Sequence, residues 1–369
     1  MPSIHIPDFP EDIPTHPLLV IDYSLLVAGD QYEIDRLWDA ATNLGFWYLK
    51  NHGADELAEG MFQMAAETMQ LPMDEKLKFE QGDSGNSFGY KAAGANAVDA
   101  TGQPDTVEFI NIAKDDALAW PQQARRAYPS TVNARMPETV TPFVKKSVEV
   151  NDTLLQIFND RLGLPLDALQ KRHLLTEYSG SETRVIKNPP SPQSPLKVAI
   201  GAHTDFGSLS FLHNRLGGLQ VLVPGSEDWQ YIKVHLWGFS RCVHSYFSSH
   251  FRGTRSVTSE THWLCSVAVS FDLICIASCN PPPGAQSQFE RWSLVYFTRP
   301  GNDVQLRALV EDSQIIADAV SRTPDKNFET GSTSLEWFTR RIENQRMKNR
   351  TGPETWMNSR GTEHRVNAV

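Results

Sequence analysis

The feature that most constrains the fold is a series of short β-rich segments that begins after residue 180. Gly, Pro or Asn residues separate most of them, and they span 183–187, 197–201, 208–213, 218–223, 229–233 and 292–298. Short strands at close spacing, bounded by turn residues, are typical of a sandwich or a barrel. We therefore expect a β core in the second half of the chain.

The first part of the chain shows helical periodicity instead. Ile34, Leu37, Trp38 and Ala41 recur at the spacing of an amphipathic helix. The pattern predicts helices at 31–44, 55–70, 136–162 and 332–347, strands at 14–23 and 45–50, and a long loop at 80–106. The fold class is therefore α+β: mainly β, with flanking helices packed on the sheets.

Composition excludes some partners. The 369 residues are 40% hydrophobic and 21% charged, as in an ordinary globular protein. The net charge of −10 disfavours nucleic acid, because phosphates are bound by a basic face. No apolar run reaches the roughly 18 residues that suggest a membrane span, and the first residues lack the apolar stretch of a secretory signal. We expect a cytoplasmic protein, and the sequence leaves its oligomeric state open.

The most informative motif is His203-Thr204-Asp205, which lies at the end of a predicted strand. Residues two apart on a strand point to the same face, so the imidazole and the carboxylate would project together. These groups form two arms of the two-histidine, one-carboxylate triad that binds non-haem iron(II). The alternative without a functional role for this short motif is a turn aspartate beside a surface histidine.

A second pair lies on the strand at 292–298. Arg291 and Ser293 are also two residues apart, so a guanidinium and a hydroxyl would face one way. Arginine binds a carboxylate through two parallel hydrogen bonds, which lysine cannot do. Taken alone, a surface arginine on an edge strand would explain the pair equally well.

Together these motifs resemble the 2-oxoglutarate/iron(II) dioxygenase superfamily, in the branch of isopenicillin N synthase and of fungal oxygenases of secondary metabolism. LLVID at 18–22 and GFWYLKNHG at 45–53 are similar to the N-terminal signature of that branch. HTDFGS at 203–208, GGLQV at 217–221, PPPG at 281–284 and RWS at 291–293 are similar to its core motifs. The resemblance covers most of the chain and implies a double-stranded β-helix, a jelly-roll barrel with iron in its mouth.

The resemblance also implies roles for the two pairs. His203 and Asp205 would be iron ligands, and Arg291 with Ser293 would hold the distal carboxylate of 2-oxoglutarate. The expected enzyme uses Fe(II), 2-oxoglutarate and O₂ to hydroxylate, desaturate or otherwise oxidise a small organic substrate. One departure is the run 184–190, which lacks the aromatic residue that relatives carry before the Pro-Pro pair.

The third iron ligand of the family is absent. Relatives carry a second histidine in a His-Arg-Val-Val-like strand before the Pro-Pro-Pro-Gly turn, but residues 273–280 read LICIASCN. The surrounding window, 234–280, is anomalous because it holds all four cysteines and no lysine. The cysteine spacings fit no zinc pattern.

The genetic code offers an explanation for this window. Read from the third base of each codon, residues 249–279 can encode a run in family order that ends in His-Arg-Val-Val. The missing histidine would then be encoded across Cys275 and Ile276. We interpret 234–248 as translated intron and 249–280 as exon read in the wrong frame. The alternative is a genuine insertion with a substitute ligand such as His244, His250 or His262.

We divide the chain into four parts: an N-terminal helical and strand region (1–175), the jelly-roll core (176–310), C-terminal helices (311–347) and a disordered tail (348–369). Because a ligand is missing, we expect weak or no turnover from the chain as written. Two other functions stay open at this point. One is an isopenicillin-synthase-like oxidase that uses no 2-oxoglutarate, and the other is a non-catalytic binding protein on the same fold.

Overall fold

The computed structural model describes most of the chain. The described residues are 7–191, 198–203, 205–223, 229–234, 236–237, 240–241, 243–246, 276–279, 285–322, 324 and 328–360. Most of the anomalous window lies outside them, including His250 and His262, and so do residues 361–369.

Helices lie mainly before and after the β core. They are α1 (Tyr23–Val27), α2 (Gln31–Asn43), α3 (Asp55–Met69), α4 (Met73–Leu77), α5 (Lys114–Ala119), α6 (Ser130–Asn133), α7 (Thr141–Arg161), α8 (Gln314–Ser321), α9 (Ser334–Gln345) and α10 (Pro353–Arg360). Side chains cap several of them. Asp30 accepts the Glu33 amide at 2.9 Å at the start of α2, and Thr333 with Glu336 forms a reciprocal capping box on α9. No helix of the described chain is long and apolar enough to cross a membrane.

The strands follow one another closely in the core. They are β1 (Val20–Asp22), β2 (Phe46–Lys50), β3 (Gly89–Lys91), β4 (Glu108–Ala113), β5 (Glu182–Asn188), β6 (Val198–His203), β7 (Leu209–Asn214), β8 (Leu219–Leu222), β9 (Trp229–Tyr231), β10 (Leu236–Trp237), β11 (Ser240–Arg241), β12 (Val243–Tyr246), β13 (Ile276–Cys279), β14 (Arg291–Thr298), β15 (Gln305–Arg307) and β16 (Glu329–Thr333).

Two sheets build the core. The large sheet has the order β1-β2-β12-β7-β14-β5-β4-β3, and the small sheet has the order β6-β13-β8-β9. Every neighbouring pair in them is antiparallel except β1 with β2. Residues from both sheets line one cavity, so the sheets face each other across it. This arrangement agrees with the expected mainly β core with flanking helices.

The side-chain alternation of β14 shows how the core is divided. Arg291, Ser293 and Val295 line the cavity, whereas Leu294 and Tyr296 are buried in the hydrophobic cluster on the opposite face. Helices α3 and α7 pack on that opposite face. Burying one face of the strand under helices fixes its register, because a shift by one residue would exchange the two sets of side chains.

The sequence pattern predicts most of these elements. The helices at 31–44, 55–70, 136–162 and 332–347 are confirmed to within a few residues, with a π-helical turn at Met136–Val140 before α7. The β-rich segments correspond to β5 to β9 and β14. Of the strand predicted at 14–23, only β1 forms, and Tyr23 already starts α1.

The expectation of disorder after residue 348 is wrong for the described part of the tail. Residues Met347–Asn349 form a 3₁₀ turn and Pro353–Arg360 form α10. The polar composition hides the contacts that hold this segment. Arg341, which is 1% exposed, donates to the Ser359 carbonyl at 3.2 Å, and Trp356 lies under the Arg350 guanidinium. Residues 361–369 lie outside the described part of the chain.

Candidate functional site

One cavity of about 140 Å³ lies between the two sheets. Strands β4, β5, β7 and β14 line it from the large sheet, and β6 and β8 line it from the small sheet. His203, Asp205, Arg291 and Ser293 all line this cavity. The structure therefore brings together the four residues that the sequence singled out.

The first pair lies where β6 ends. His203 Nε2 is 3.4 Å from Asp205 Oδ1, and His203 Nδ1 is 2.8 Å from the Gly201 carbonyl oxygen. Because a carbonyl can only accept, Nδ1 of the neutral imidazole carries the proton. Nε2 then presents a lone pair beside the carboxylate. Two acceptor atoms so close together suit a cation between them.

Asp205 is held in its ionised form. Burial by itself would raise the pKa of this carboxyl, but the neighbouring His203, the hydrogen bond from Ser210 and the charge of Arg299 keep the pKa below its usual value. The Ser210 hydroxyl donates to Asp205 Oδ2 at 2.7 Å, which leaves Oδ1 toward His203. The carboxylate is thus oriented as well as charged.

The second pair forms a buried cradle with Asn214. Arg291 and Ser293 are 3% and 4% exposed. Arg291 donates from Nε to the Gly217 carbonyl at 2.7 Å and from Nη2 to Asn214 Oδ1 at 3.2 Å, and the Ser293 hydroxyl donates to the same oxygen at 2.6 Å. Asn214 Nδ2 is buried and has no hydrogen-bond partner among the described residues. A buried donor without an acceptor is costly, so the cradle suits an anionic oxygen such as that of a carboxylate.

The donor set for iron is incomplete in the described residues. No three His, Cys, Asp or Glu side chains come together there in a way that could hold a metal ion. The backbone position opposite His203 is Ile276, its Cα partner on β13. Of the substitute ligands suggested by the sequence, His244 lies on β12, opposite Leu212 in the large sheet. Among the described residues, the cavity therefore offers a cradle that suits a carboxylate and one pair of donors, His203 and Asp205, that suits a cation.

A polar group at the other end of the cavity was missed at the sequence level. Arg184 Nη2 lies 2.9 Å from Glu182 Oε1, and Arg299 Nη1 lies 3.5 Å from the same oxygen. Glu182 is 0% exposed. Burial lowers the pKa of Arg299 to about 10, although the Glu182 charge opposes this shift. Two charged residues at positions 182 and 184 of a core strand are the signal that could have found this group.

Segments outside the β core close the cavity. Asn96, Val98 and Asp105 line it from the 80–106 segment, and Trp356 and Ser359 line it from α10. The 80–106 segment lies directly against β6, because a Cβ atom at Gly201 would overlap the Val98 carbonyl oxygen. Glycine at position 201 thus permits the close approach of this segment to the His203–Asp205 pair.

Known proteins match this chain in sequence. A family model described as non-haem dioxygenase in morphine synthesis N-terminal matches residues 18–136. A 2-oxoglutarate-dependent dioxygenase of Gibberella zeae is 26% identical over 228 residues, 60% of this chain and 66% of that protein. The leucoanthocyanidin dioxygenase of Malus domestica is 27% identical over 234 residues, 61% of this chain and 60% of that protein. The chain thus spans less than two thirds of the length of these curated relatives.

Solved structures match it in fold. A full-length Neurospora crassa protein in complex with alpha-KG has a TM-score of 0.65 at 18% identity, covering 91% of this chain and 99% of that chain. JOX2 in complex with 2OG, Fe and JA has a TM-score of 0.60 at 17% identity, covering 82% and 81%. These likenesses confirm the jelly-roll fold. In sequence, the chain is similar to 2-oxoglutarate-dependent dioxygenases over about 60% of its length.

Proposed function

We propose that this protein is an iron(II)- and 2-oxoglutarate-dependent oxygenase that oxidises a small organic substrate. The observation that carries this proposal is that the His203–Asp205 pair and the buried Arg291–Ser293 cradle face the same cavity. The relatives named as 2-oxoglutarate-dependent dioxygenases support it. We also propose, from the resemblance to fungal oxygenases, a cytoplasmic role in secondary metabolism, which cell fractionation and metabolite profiling of a deletion strain would test.

The residues of the chain would bind and orient the reactants. Arg291, Ser293 and Asn214 would receive the distal carboxylate of 2-oxoglutarate, with Arg291 fixed in place by its bond to the Gly217 carbonyl. His203 and Asp205 would bind iron(II) through Nε2 and Oδ1. When bound, iron and 2-oxoglutarate would supply the activation of O₂ and the electrons for oxidation of the substrate.

The missing donor limits what the chain as written can do. Two protein ligands hold iron(II) less firmly than the three of a facial triad, so we expect weak iron binding and little turnover. The absence of a third iron ligand favours a second candidate function for this sequence, a non-catalytic binding protein. The buried cradle argues against an oxidase that needs no 2-oxoglutarate, because such an enzyme has no use for the unpaired amide donor of Asn214.

The test is a calorimetric titration of the full chain with 2-oxoglutarate. The Arg291→Gln substitution is expected to weaken binding by about tenfold to a hundredfold, because it removes charge-assisted hydrogen bonds to a carboxylate. Arg307→Gln serves as the matched control, since its side chain is 39% exposed and lies outside the cavity lining. Equal affinities of the unaltered chain and the Arg291→Gln variant would reject the assignment.

A further inference from the structure

Arg184 offers the cavity unused hydrogen-bond donors. Its Nε donates to Asn111 Oδ1 at 2.8 Å, and its Nη2 donates to Glu182 at 2.9 Å and Ser87 at 3.3 Å. Nη1 makes no hydrogen bond with any described residue, and the side chain, 17% exposed, lines the cavity. The bonds of Nε and Nη2 orient the guanidinium and leave Nη1, with its two N–H groups, for a ligand.

Aromatic rings hold this guanidinium in place. It lies 4.4 Å from the Phe109 ring centre and 5.2 Å from that of Phe297, and both rings also line the cavity. The rings restrict the arginine rotamers, so little conformational freedom remains to be lost on binding a ligand. The same rings, with Ile186 and Ile200, give the cavity an apolar body beside the charged group.

Two carboxylates and two guanidinium groups lie at this end of the cavity. Glu182 is shared by Arg184 and Arg299, and Asp205, which acts on Arg299, belongs to the pair that would hold the iron cation. Asp105, another carboxylate of the lining, is already paired with the buried Lys91. Arg299 donates hydrogen bonds from Nε to the Phe206 carbonyl and from Nη1 to the Gly180 carbonyl. Arg184 therefore provides the accessible positive charge, in a chain whose net charge is −10.

This site is separate from the 2-oxoglutarate cradle. Arg184 pairs with Val295 on β14, whereas Arg291 pairs with Asn188 at the other end of the same strand pair. The two arginines are thus four residues apart along the β14 register, or about 13 Å at roughly 3.3 Å per residue. Asp205 belongs to the Arg184 end, because its partner Ser210 lies opposite Phe297, which pairs with Glu182.

We propose that Arg184 binds a carboxylate of the substrate, so that the enzyme acts on small aromatic or apolar carboxylic acids. This inference rests on the proposed function, in which the second arginine, Arg291, is occupied by 2-oxoglutarate. The apolar body of the substrate lies against Phe109 and Phe297, and its carboxylate accepts hydrogen bonds from Arg184 Nη1.

The experiment compares an acid with its uncharged isostere. The full chain, saturated with 2-oxoglutarate and without added iron, is titrated by calorimetry with phenylacetate and with phenylacetamide. We expect the acid to bind about tenfold or more tightly than the amide, the scale of one charge-assisted contact. Arg184→Gln abolishes this preference, and Arg184→Lys keeps part of it, because lysine carries the charge without the planar fork.

Several outcomes overturn the proposal. Equal affinities of the unaltered chain for the acid and the amide would overturn it. A preference for the acid that survives in an Arg184→Gln variant with an unchanged unfolding midpoint would overturn it too. Arg184→Gln could fail to fold because Glu182 loses a partner. In that case the acid–amide comparison in the unaltered chain and in Arg184→Lys still tests the proposal.

A parallel titration in the Arg291→Gln variant separates this inference from the proposed function. There, 2-oxoglutarate binding is weakened by about tenfold to a hundredfold while the Arg184-dependent acid preference persists. If 2-oxoglutarate fails to bind even the unaltered chain, the proposed function fails, and the probes titrated alone still report on Arg184.

Discussion

His173 is a residue whose protonation state is set by its neighbours. Its Nδ1 lies 2.7 Å from the Leu169 carbonyl and its Nε2 lies 2.7 Å from the Ser208 hydroxyl. The carbonyl requires a proton on Nδ1, so Nε2 accepts from Ser208. Burial lowers the pKa of this imidazole to about 4, against the hydrogen bond to Leu169, which raises it. The folded protein therefore holds His173 neutral.

This histidine makes stability depend on pH in one direction. Its pKa is 6.5 in the reference state and about 4 when folded, so the unfolded chain binds the additional proton between these values. The contribution of His173 to the free energy of unfolding is fully present above about pH 6.5 and is lost as the pH drops toward 4. We expect a loss of about 1–2 kcal/mol at pH 5, because the residue is only partly enclosed.

The measurement is the free energy of unfolding in urea at pH 8 and pH 5, in the unaltered chain and in His173→Gln. Glutamine does not titrate, so the variant should lose this part of the pH dependence while carboxylates elsewhere contribute equally to both proteins. Parallel pH profiles for the two proteins would show that His173 is not the source.

The residues of the two pairs were predictable because strand alternation and donor chemistry act locally. His203 with Asp205, and Arg291 with Ser293, each lie two apart in the sequence, and each pair lines the cavity. Arg184 was not predicted as a cavity residue. Its significance depends on which neighbours use its donors, and Asn111 and Ser87 come from distant parts of the chain.

At the scale of elements, local pattern predicts what an element is but not what it packs against. Strand β4 is not predicted, although it pairs with β5 and places Phe109 in the cavity. Helix α10 reads as a disordered tail because its anchoring contacts, such as Arg341 with Ser359, are tertiary. Propensity is a weak guide where tertiary contacts decide the structure of a segment.

The pairing of β13 with β6 leads to a prediction about iron. Ile276 is the Cα partner of His203 in the β6–β13 pair. The codon reading independently places the missing histidine across Cys275 and Ile276. We expect Ile276→His to raise iron(II) affinity by at least about a hundredfold, since outer-shell partners alone are worth roughly tenfold to a hundredfold.

Anaerobic calorimetry with iron(II) measures this effect, and Ala277→His is the matched control. Ala277 is the Cα partner of Gln220 on β8, and the register of β13 with β6 runs from the Ile276–His203 pair to the Ser278–Ile200 pair without it. An imidazole at 277 should therefore leave iron affinity unchanged. If both variants, or neither of them, bind iron(II) more tightly than the unaltered chain, residue 276 is not the position of the third ligand. An Asp205→Asn change in the Ile276→His background should abolish the gain.

At the scale of the whole molecule, the anomalous window interrupts a fold that is otherwise consistent. Strand β12 of this window lies between β2 and β7 in the large sheet, and β13 lies between β6 and β8 in the small one. Both strands are thus central in their sheets, where side-chain alternation has to suit the packing on each face. Neither a translated intron, in which β12 lies, nor an exon read in the wrong frame, in which β13 lies, has a reason to meet that demand.

Removing residues 234–248 and replacing residues 249–280 with the translation of the alternative reading should therefore stabilise the protein and restore the iron site. We expect the free energy of unfolding to rise by at least about 2 kcal/mol, the scale of one well-buried aliphatic side chain, and iron(II) to bind as it does in Ile276→His. Urea unfolding and anaerobic calorimetry measure both changes. The transcript across codons 225–300 provides the independent check. A spliced message that encodes His-Arg-Val-Val makes the restored chain the natural enzyme. A message that matches the printed chain, together with no gain in stability, makes the window a genuine part of a protein that has lost its third ligand.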